Sequence, residues 1–204
     1  MKDKMKKKEK SYLVLLASTI LLLFLIIFSS ITSVATAQSD SYVVTSAYIT
    51  NQDSGTVSVI DIATNKVIDN VTVGTNPQGV AVNSAGTKVY VANERSNTVS
   101  IIDTATNKVI DDVNVGTNPK GVAVLPDGTK VYVTNYGGTT VSVIDTVTNK
   151  VKATVKVGSH PFGVAITETK VYVTNDNDKR VSVINTATDT VVDTMNIKNQ
   201  YPGG

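Results

Sequence analysis

Cysteine and tryptophan are absent from the 204 residues, aromatic residues make up 5%, and histidine occurs once. Without cysteine there are no disulfides, no thiolate metal sites and no cysteine nucleophile, so stability rests on packing and hydrogen bonding alone. A single histidine, with no second histidine or cysteine to join it, makes a poor zinc site. The chain also lacks a Gly-x-Ser-x-Gly elbow, a phosphate loop and a dinucleotide fingerprint. The expectation is no catalytic residues, no cofactor and no resident metal.

An excess of charge is missing too. The formal net charge is +2, but Lys2, Lys4, Lys6, Lys7, Lys8 and Lys10 lie in the first ten residues with only Asp3 and Glu9. The rest of the chain carries 13 basic and 15 acidic residues. No basic stripe remains for nucleic acid. The lysines instead precede an apolar run from Tyr12 to Phe28 and a small-residue site, Ala35-Thr36-Ala37, before Gln38. That order describes a secretory signal, and the run is also long enough for a signal-anchor. In either case the positive-inside rule sends the rest of the chain across the membrane. Residues 1–37 are read as signal or anchor and 38–204 as the exported part. Any membrane contact is expected through the N-terminal segment alone.

What is abundant is Val, Ile and Thr, β-branched residues suited to pleated strands. They recur in a sentence written four times. VYVTNYGGTTVSVIDTVTNK at Val131 has near-copies beginning at Ala47, Val89 and Val171, spaced 42, 42 and 40 residues apart. Such a period signals a solenoid, propeller or array. Within one unit, Gly121-Val-Ala-Val, KVYVTN (130–135), TVSVID (140–145) and KVKATVKV (150–157) read as strands. Asp127-Gly128, Tyr136-Gly137-Gly138 and Thr146–Asn149 read as the turns between them, and Gly158–Gly163 as a connector. Each unit is a four-stranded antiparallel meander. Val131 and Val133 alternate with Tyr132 and Thr134, so neither face of the sheet is charged. Both faces need a neighbour, and the repetition encodes that self-complementarity.

Tyr132-Val133-Thr134-Asn135, Tyr172-Val173-Thr174-Asn175, Tyr48-Ile49-Thr50-Asn51 and Tyr90-Val91-Ala92-Asn93 resemble the YVTN-family β-propeller repeat, as do the SVID-TATNKV and VGTNP-GVAV segments. The resemblance runs from about residue 40 to the end. It implies an all-β propeller of about four four-stranded blades, and an extracellular binding or structural role of the kind known from archaeal surface-layer and other cell-surface proteins. The family usually closes about seven blades, and this chain has room for four. An open or incomplete ring is therefore expected, with an exposed apolar face at its N-terminal end that favours self-association. Asp176, Asp178, Lys179, Arg180, Asn185 and Asp189 make the last unit the most polar, in the manner of a cap.

Residues shared by all copies serve the blade, and residues unique to one copy are free for other work. The recurrent Asn51, Asn93, Asn135 and Asn175 could form a ligand ring, but ending each strand and bonding the following turn explains them better. His160 and Phe162 in the connector GSHPFG, and Glu94, Arg95, Tyr136 and Arg180 in the other loop family, are the candidate contacts of a binding face. His160 reads most simply as a surface variation of the Asn found in other copies. Asp176-Asn177-Asp178 lacks the Gly and distant Glu of a calcium loop. Asn70-Val71-Thr72 is a glycosylation sequon. The function expected is an exported scaffold whose partners are proteins or cell-surface components. An exported lactonase-like or redox-associated propeller enzyme or ligand-binding protein, or a truncated piece of a larger propeller, are the alternatives.

Overall fold

The computed structural model describes residues 45–197, and the export segment expected in residues 1–37 lies outside them. So does Ser41-Tyr42-Val43-Val44, which stands where the first unit would carry its counterpart of the Gly121-Val-Ala-Val strand. The described residues form fifteen strands in four antiparallel sheets, with no helix among them. No helix of the described residues is long and apolar enough to cross a membrane.

Sheet 1 contains β1 (Ser46–Asn51), β2 (Thr56–Asp61) and β3 (Lys66–Thr72). Sheet 2 contains β4 (Pro77–Val82), β5 (Lys88–Asn93), β6 (Thr98–Asp103) and β7 (Lys108–Asn114). Sheet 3 contains β8 (Pro119–Val124), β9 (Lys130–Asn135), β10 (Thr140–Asp145) and β11 (Lys150–Lys156). Sheet 4 contains β12 (Pro161–Ile166), β13 (Lys170–Asn175), β14 (Arg180–Asn185) and β15 (Thr190–Asn196). Within each sheet every strand pairs with the next in sequence, so all are meanders.

The turns follow from short polar side chains. In the turn after β2, the Asp61 Oδ1 accepts the Thr64 N–H at 2.7 Å and its hydroxyl at 2.6 Å. Asp103 with Thr106 and Asp145 with Thr148 repeat the arrangement. Asn65, Asn107, Asn149 and Asp189 then close each turn in the left-handed region, with φ between 52° and 54°. Asn and Asp tolerate that region because their side chains can bond the local backbone.

The strand alternation read from KVYVTN holds, and it sets the packing. Val131, Val133 and Ile144 of sheet 3 pack with Tyr90, Ala92, Val99, Ile101 and Val113 of sheet 2. The opposite side of sheet 3, through Tyr132, Val141, Val143 and Val155, packs with Val171, Val173 and Ile184 of sheet 4. Sheets 1 and 2 meet in the same way through Val57, Val59 and Val71 against Val89, Val91 and Ile102. Sheets 2 and 3 thus each have a back face toward the preceding sheet and a forward face toward the following one. Burying each such Val or Ile contributes about 1.5–3 kcal/mol.

The first strands of the sheets line up side by side, β8 between β4 and β12, with β1 against β4. Glycine makes that approach close. A Cβ on Gly79 would come within 2.2 Å of the Lys120 carbonyl oxygen, and one on Gly121 within 2.6 Å of the Phe162 carbonyl oxygen.

Two expectations need correction. Pro161 and Phe162 do not sit in a connector loop: they open β12, where Pro161 pairs with Asn175 and a bulge separates it from Val164. Proline is accepted there because the first position of a strand can do without an N–H. And sheet 4 is only in part a polar cap, through the exposed Asp176, Asp178, Lys179 and Arg180. Its Asp189 turns inward to sheet 3, while Val192, Met195 and Ile197 are 55%, 42% and 49% exposed. At the other end Ile49 and Val67 are 50% and 55% exposed. Among the described residues no core cluster joins sheet 4 to sheet 1.

Candidate binding face

The recurrent asparagines staple the strands that surround them. Asn93 Nδ2 donates to Thr98 Oγ1 at 3.0 Å and to Ser100 Oγ at 2.8 Å, and Asn51 and Asn135 do the same with their own Thr and Ser. Asn135 Oδ1 also accepts the Gly116 N–H from the connector. These residues are part of the frame and form no ligand ring.

The residue just after each of these asparagines differs in every copy: Gln52, Glu94, Tyr136 and Asp176. So does the residue after each connector proline: Gln78, Lys120 and Phe162. Because each proline pairs with the asparagine of the same sheet, the two series lie at one end of the sheets. Their side chains interlock across sheet boundaries. Gln52 Nε2 donates to Gln78 Oε1 at 2.7 Å. Glu94 Oε2 accepts from Gln78 Nε2 at 2.8 Å and from Asn76 Nδ2 at 2.9 Å. Lys120 Nζ lies 3.5 Å from Glu94 Oε1. The same ammonium stands 4.5 Å above the Tyr136 ring centroid and 5.5 Å from that of Phe162. Tyr136 makes edge contacts with Phe162, at 6.0 Å between centroids, and with His160, at 5.1 Å. The result is one row: amide, amide, carboxylate, ammonium, aromatic pair, imidazole.

His160 takes its place for a backbone reason. Its φ of 53° matches the 56° of Asn76 and 50° of Asn118 at the same position, as the reading of it as a variant of Asn requires. Its Nδ1 lies 2.9 Å from Ser159 Oγ and 2.8 Å from Asn177 Nδ2. Of the candidate contacts, the structure brings together Glu94, Tyr136, His160 and Phe162. It leaves out Arg95, which is exposed and joins Thr75 only through its backbone N–H. It also leaves out Arg180, which lines a separate cleft of about 340 Å³ with Lys156, Asp178 and Thr194. Asn70 lies exposed on β3 with its Oδ1 accepting from Ser58 Oγ at 2.8 Å. Gln78 and Lys120 were missed, although the comparison of copies that singled out Phe162 applies to them equally.

Chemically the row combines hydrogen-bonded amides, an ion pair and aromatic rings. Glu94 accepts from two amides and faces an ammonium, so its carboxylate is committed. Phe162 is 51% exposed and offers an open aromatic surface beside Lys120. Among the described residues no three His, Asp or Glu side chains group closely enough to hold a metal ion.

A family model described as YNCE-like beta-propeller matches residues 83–170. The chain is built of β-propeller blades. Sheets 1 to 4 are accordingly blades 1 to 4. Among solved structures, blades of this kind superpose on hydrazine synthase from Kuenenia stuttgartiensis with a TM-score of 0.71 and 28% identity, covering 75% of this chain and 46% of that one. A functionally unknown protein from Desulfotomaculum acetoxidans DSM 771 matches with a TM-score of 0.61 and 21% identity, covering 74% and 54%. The chain spans about half the length of these two structures. No curated protein matches.

Proposed function

We propose that this chain is an exported propeller scaffold of the YVTN type, at the cell surface or secreted, that binds a protein or cell-surface component through the row on its variable face. The observation that carries this reading is the division of labour among copies. Side chains common to the four blades go to packing and turn formation, and the copy-specific Gln52, Gln78, Glu94, Lys120, Tyr136 and Phe162 converge with His160 on one end of the sheets. On this reading the face binds and does not catalyse. Export rests on the lysine-rich start, the apolar run and Ala35-Thr36-Ala37.

The test is binding of the full chain to arrays of immobilised peptides and glycans, set beside Tyr136→Ala and Phe162→Ala. Retained thermal midpoints with lost binding support the reading. Binding indifferent to both substitutions, or no binding to either class, sinks it. Mass spectrometry of the exported product tests the rest: a mature chain beginning at Gln38 is expected, and a product retained inside the cell refutes export.

A further inference from the structure

The interfaces between blades share polar fittings around their apolar centres, and the joint between blades 3 and 4 carries the full set. Between blades 3 and 4, Lys130 Nζ contacts both Asp189 carboxylate oxygens at 3.0 Å and the Thr186 carbonyl, and Tyr132 OH donates to Asp189 Oδ1 at 2.6 Å. Between blades 2 and 3, Lys88 Nζ reaches the Thr146 carbonyl at 3.3 Å, with Tyr90 and Asn149 in the places of Tyr132 and Asp189. At the inner end a threonine hydroxyl crosses the boundary: Thr50 donates to the Gln78 carbonyl and Thr134 to the Phe162 carbonyl, each at 2.8 Å.

Blade 4 carries this set on its forward face, where Met195 is 42% and Val183 3% exposed, and among the described residues no blade stands against it. Lys170, Tyr172 and Thr174 occupy the positions of Lys130, Tyr132 and Thr134. The Thr174 hydroxyl accepts the Gly163 N–H of its own blade at 2.8 Å, but as a donor it meets only a long 3.5 Å contact with the Gly163 carbonyl. Val181, Val183 and Met195 stand in register with Val141, Val143 and Val155. A cleft of about 390 Å³, lined by Phe162, Thr174, Asp176, Lys179 and Ile197, opens at the inner corner. Blade 1 displays the opposite half: Ala47, Ile49 and Ile60 hold the positions that Val131, Val133 and Ile144 use to cover a predecessor, and Asn65 stands where Asn149 and Asp189 do.

We propose that the forward face of blade 4 binds the back face of blade 1 of a second copy of this chain, head to tail. Lys170 then meets the Ile62 carbonyl and Tyr172 the Asn65 side chain, reproducing the joint already present between successive blades. The two end faces are halves of one heterologous interface, which closes a ring when its rotation allows. Two copies supply eight blades, within the range of closed propellers, so one partner covers both open faces. This pairing is independent of what the variable row binds.

The absence of cysteine makes the test direct. Ile49→Cys and Met195→Cys are prepared separately in the full chain in mild detergent, mixed, and treated with a short bis-maleimide. Both sites are exposed, so the substitutions leave the fold in place. A covalent dimer in the mixture and none in either variant alone is expected. Adding Tyr172→Asp or, independently, Lys170→Glu to the Met195→Cys chain should abolish it. No dimer in the mixture overturns the proposal. So does equal dimer in either variant alone, or dimer that survives both added substitutions, since association through the N-terminal segment or through like ends would produce those results.

Discussion

Asp189 is a single-residue variation with a large reach. In three turns the left-handed position holds Asn; in the fourth it holds Asp, whose carboxylate draws Lys130 and Tyr132 of the neighbouring blade together, with Lys152 at 3.7 Å. The Lys130 and Asp189 side chains are 12% and 9% exposed, so this is a semi-buried pair. Asp189→Asn should cost about 2–3 kcal/mol, read as a fall in the urea midpoint, because it leaves Lys130 without its countercharge. Conversely, Tyr90 OH and Asn149 Oδ1 are buried and have no protein partner at the equivalent joint. Asn149→Asp should raise the midpoint by giving Lys88 a countercharge and Tyr90 OH a stronger acceptor, as Asp189 does for Lys130 and Tyr132. Tyr132 adds a pH dependence. Burial first, and then the Asp189 carboxylate, push its hydroxyl well above the ordinary tyrosine value. The unfolded chain ionises from about pH 10 while the folded one keeps its proton, so stability is full below that pH and falls above it. Tyr132→Phe should flatten that alkaline slope in urea titrations.

At the scale of the element, the turns and the first strand of each blade matter most. Asp61, Asp103 and Asp145 each accept two hydrogen bonds from a threonine three residues on, and those bonds hold their carboxyls below the usual range. The stabilisation is present above the unfolded value near pH 4 and is lost as the pH falls through the lower folded values. Denaturant midpoints should therefore drop below about pH 4, and less steeply in a chain with all three changed to Asn. The first strands depend on space. Gly121→Ala forces a methyl against the Phe162 carbonyl of the next blade, with an expected loss of about 1–3 kcal/mol in urea unfolding.

Across the whole described unit, stability is a chain of neighbour interfaces, as in repeat arrays. Ile144 is fully buried between blades 2 and 3, whereas Ile60, its counterpart, lies on the half-open back face of blade 1. Ile144→Ala should cost about 2–5 kcal/mol and Ile60→Ala much less. Equal losses in guanidinium titrations at protein concentrations low enough to dissociate any pairing would show that the end faces are covered within one chain.

The alternation of Val and Ile with Tyr and Thr determined the four sheets, their turns and which side chains point to which neighbour, because a strand's two faces are set by a period of two residues. The copy-specific positions also singled out Glu94, Tyr136, His160 and Phe162 before any coordinate. Gln78 and Lys120 hold the same connector position as Phe162, but as polar residues they read as ordinary solvated surface, whereas an aromatic there stands out. Which of these residues meet depended on the packing of blade upon blade, and that contact crosses some 20–40 residues of chain. Only the tertiary structure placed Lys120 between Glu94 and the Tyr136 ring, left Arg95 and Arg180 apart, and turned Asp189 inward. Strand periodicity is a local property, whereas the rotation that brings one blade's loop to the next blade's strand is decided by how side chains interdigitate.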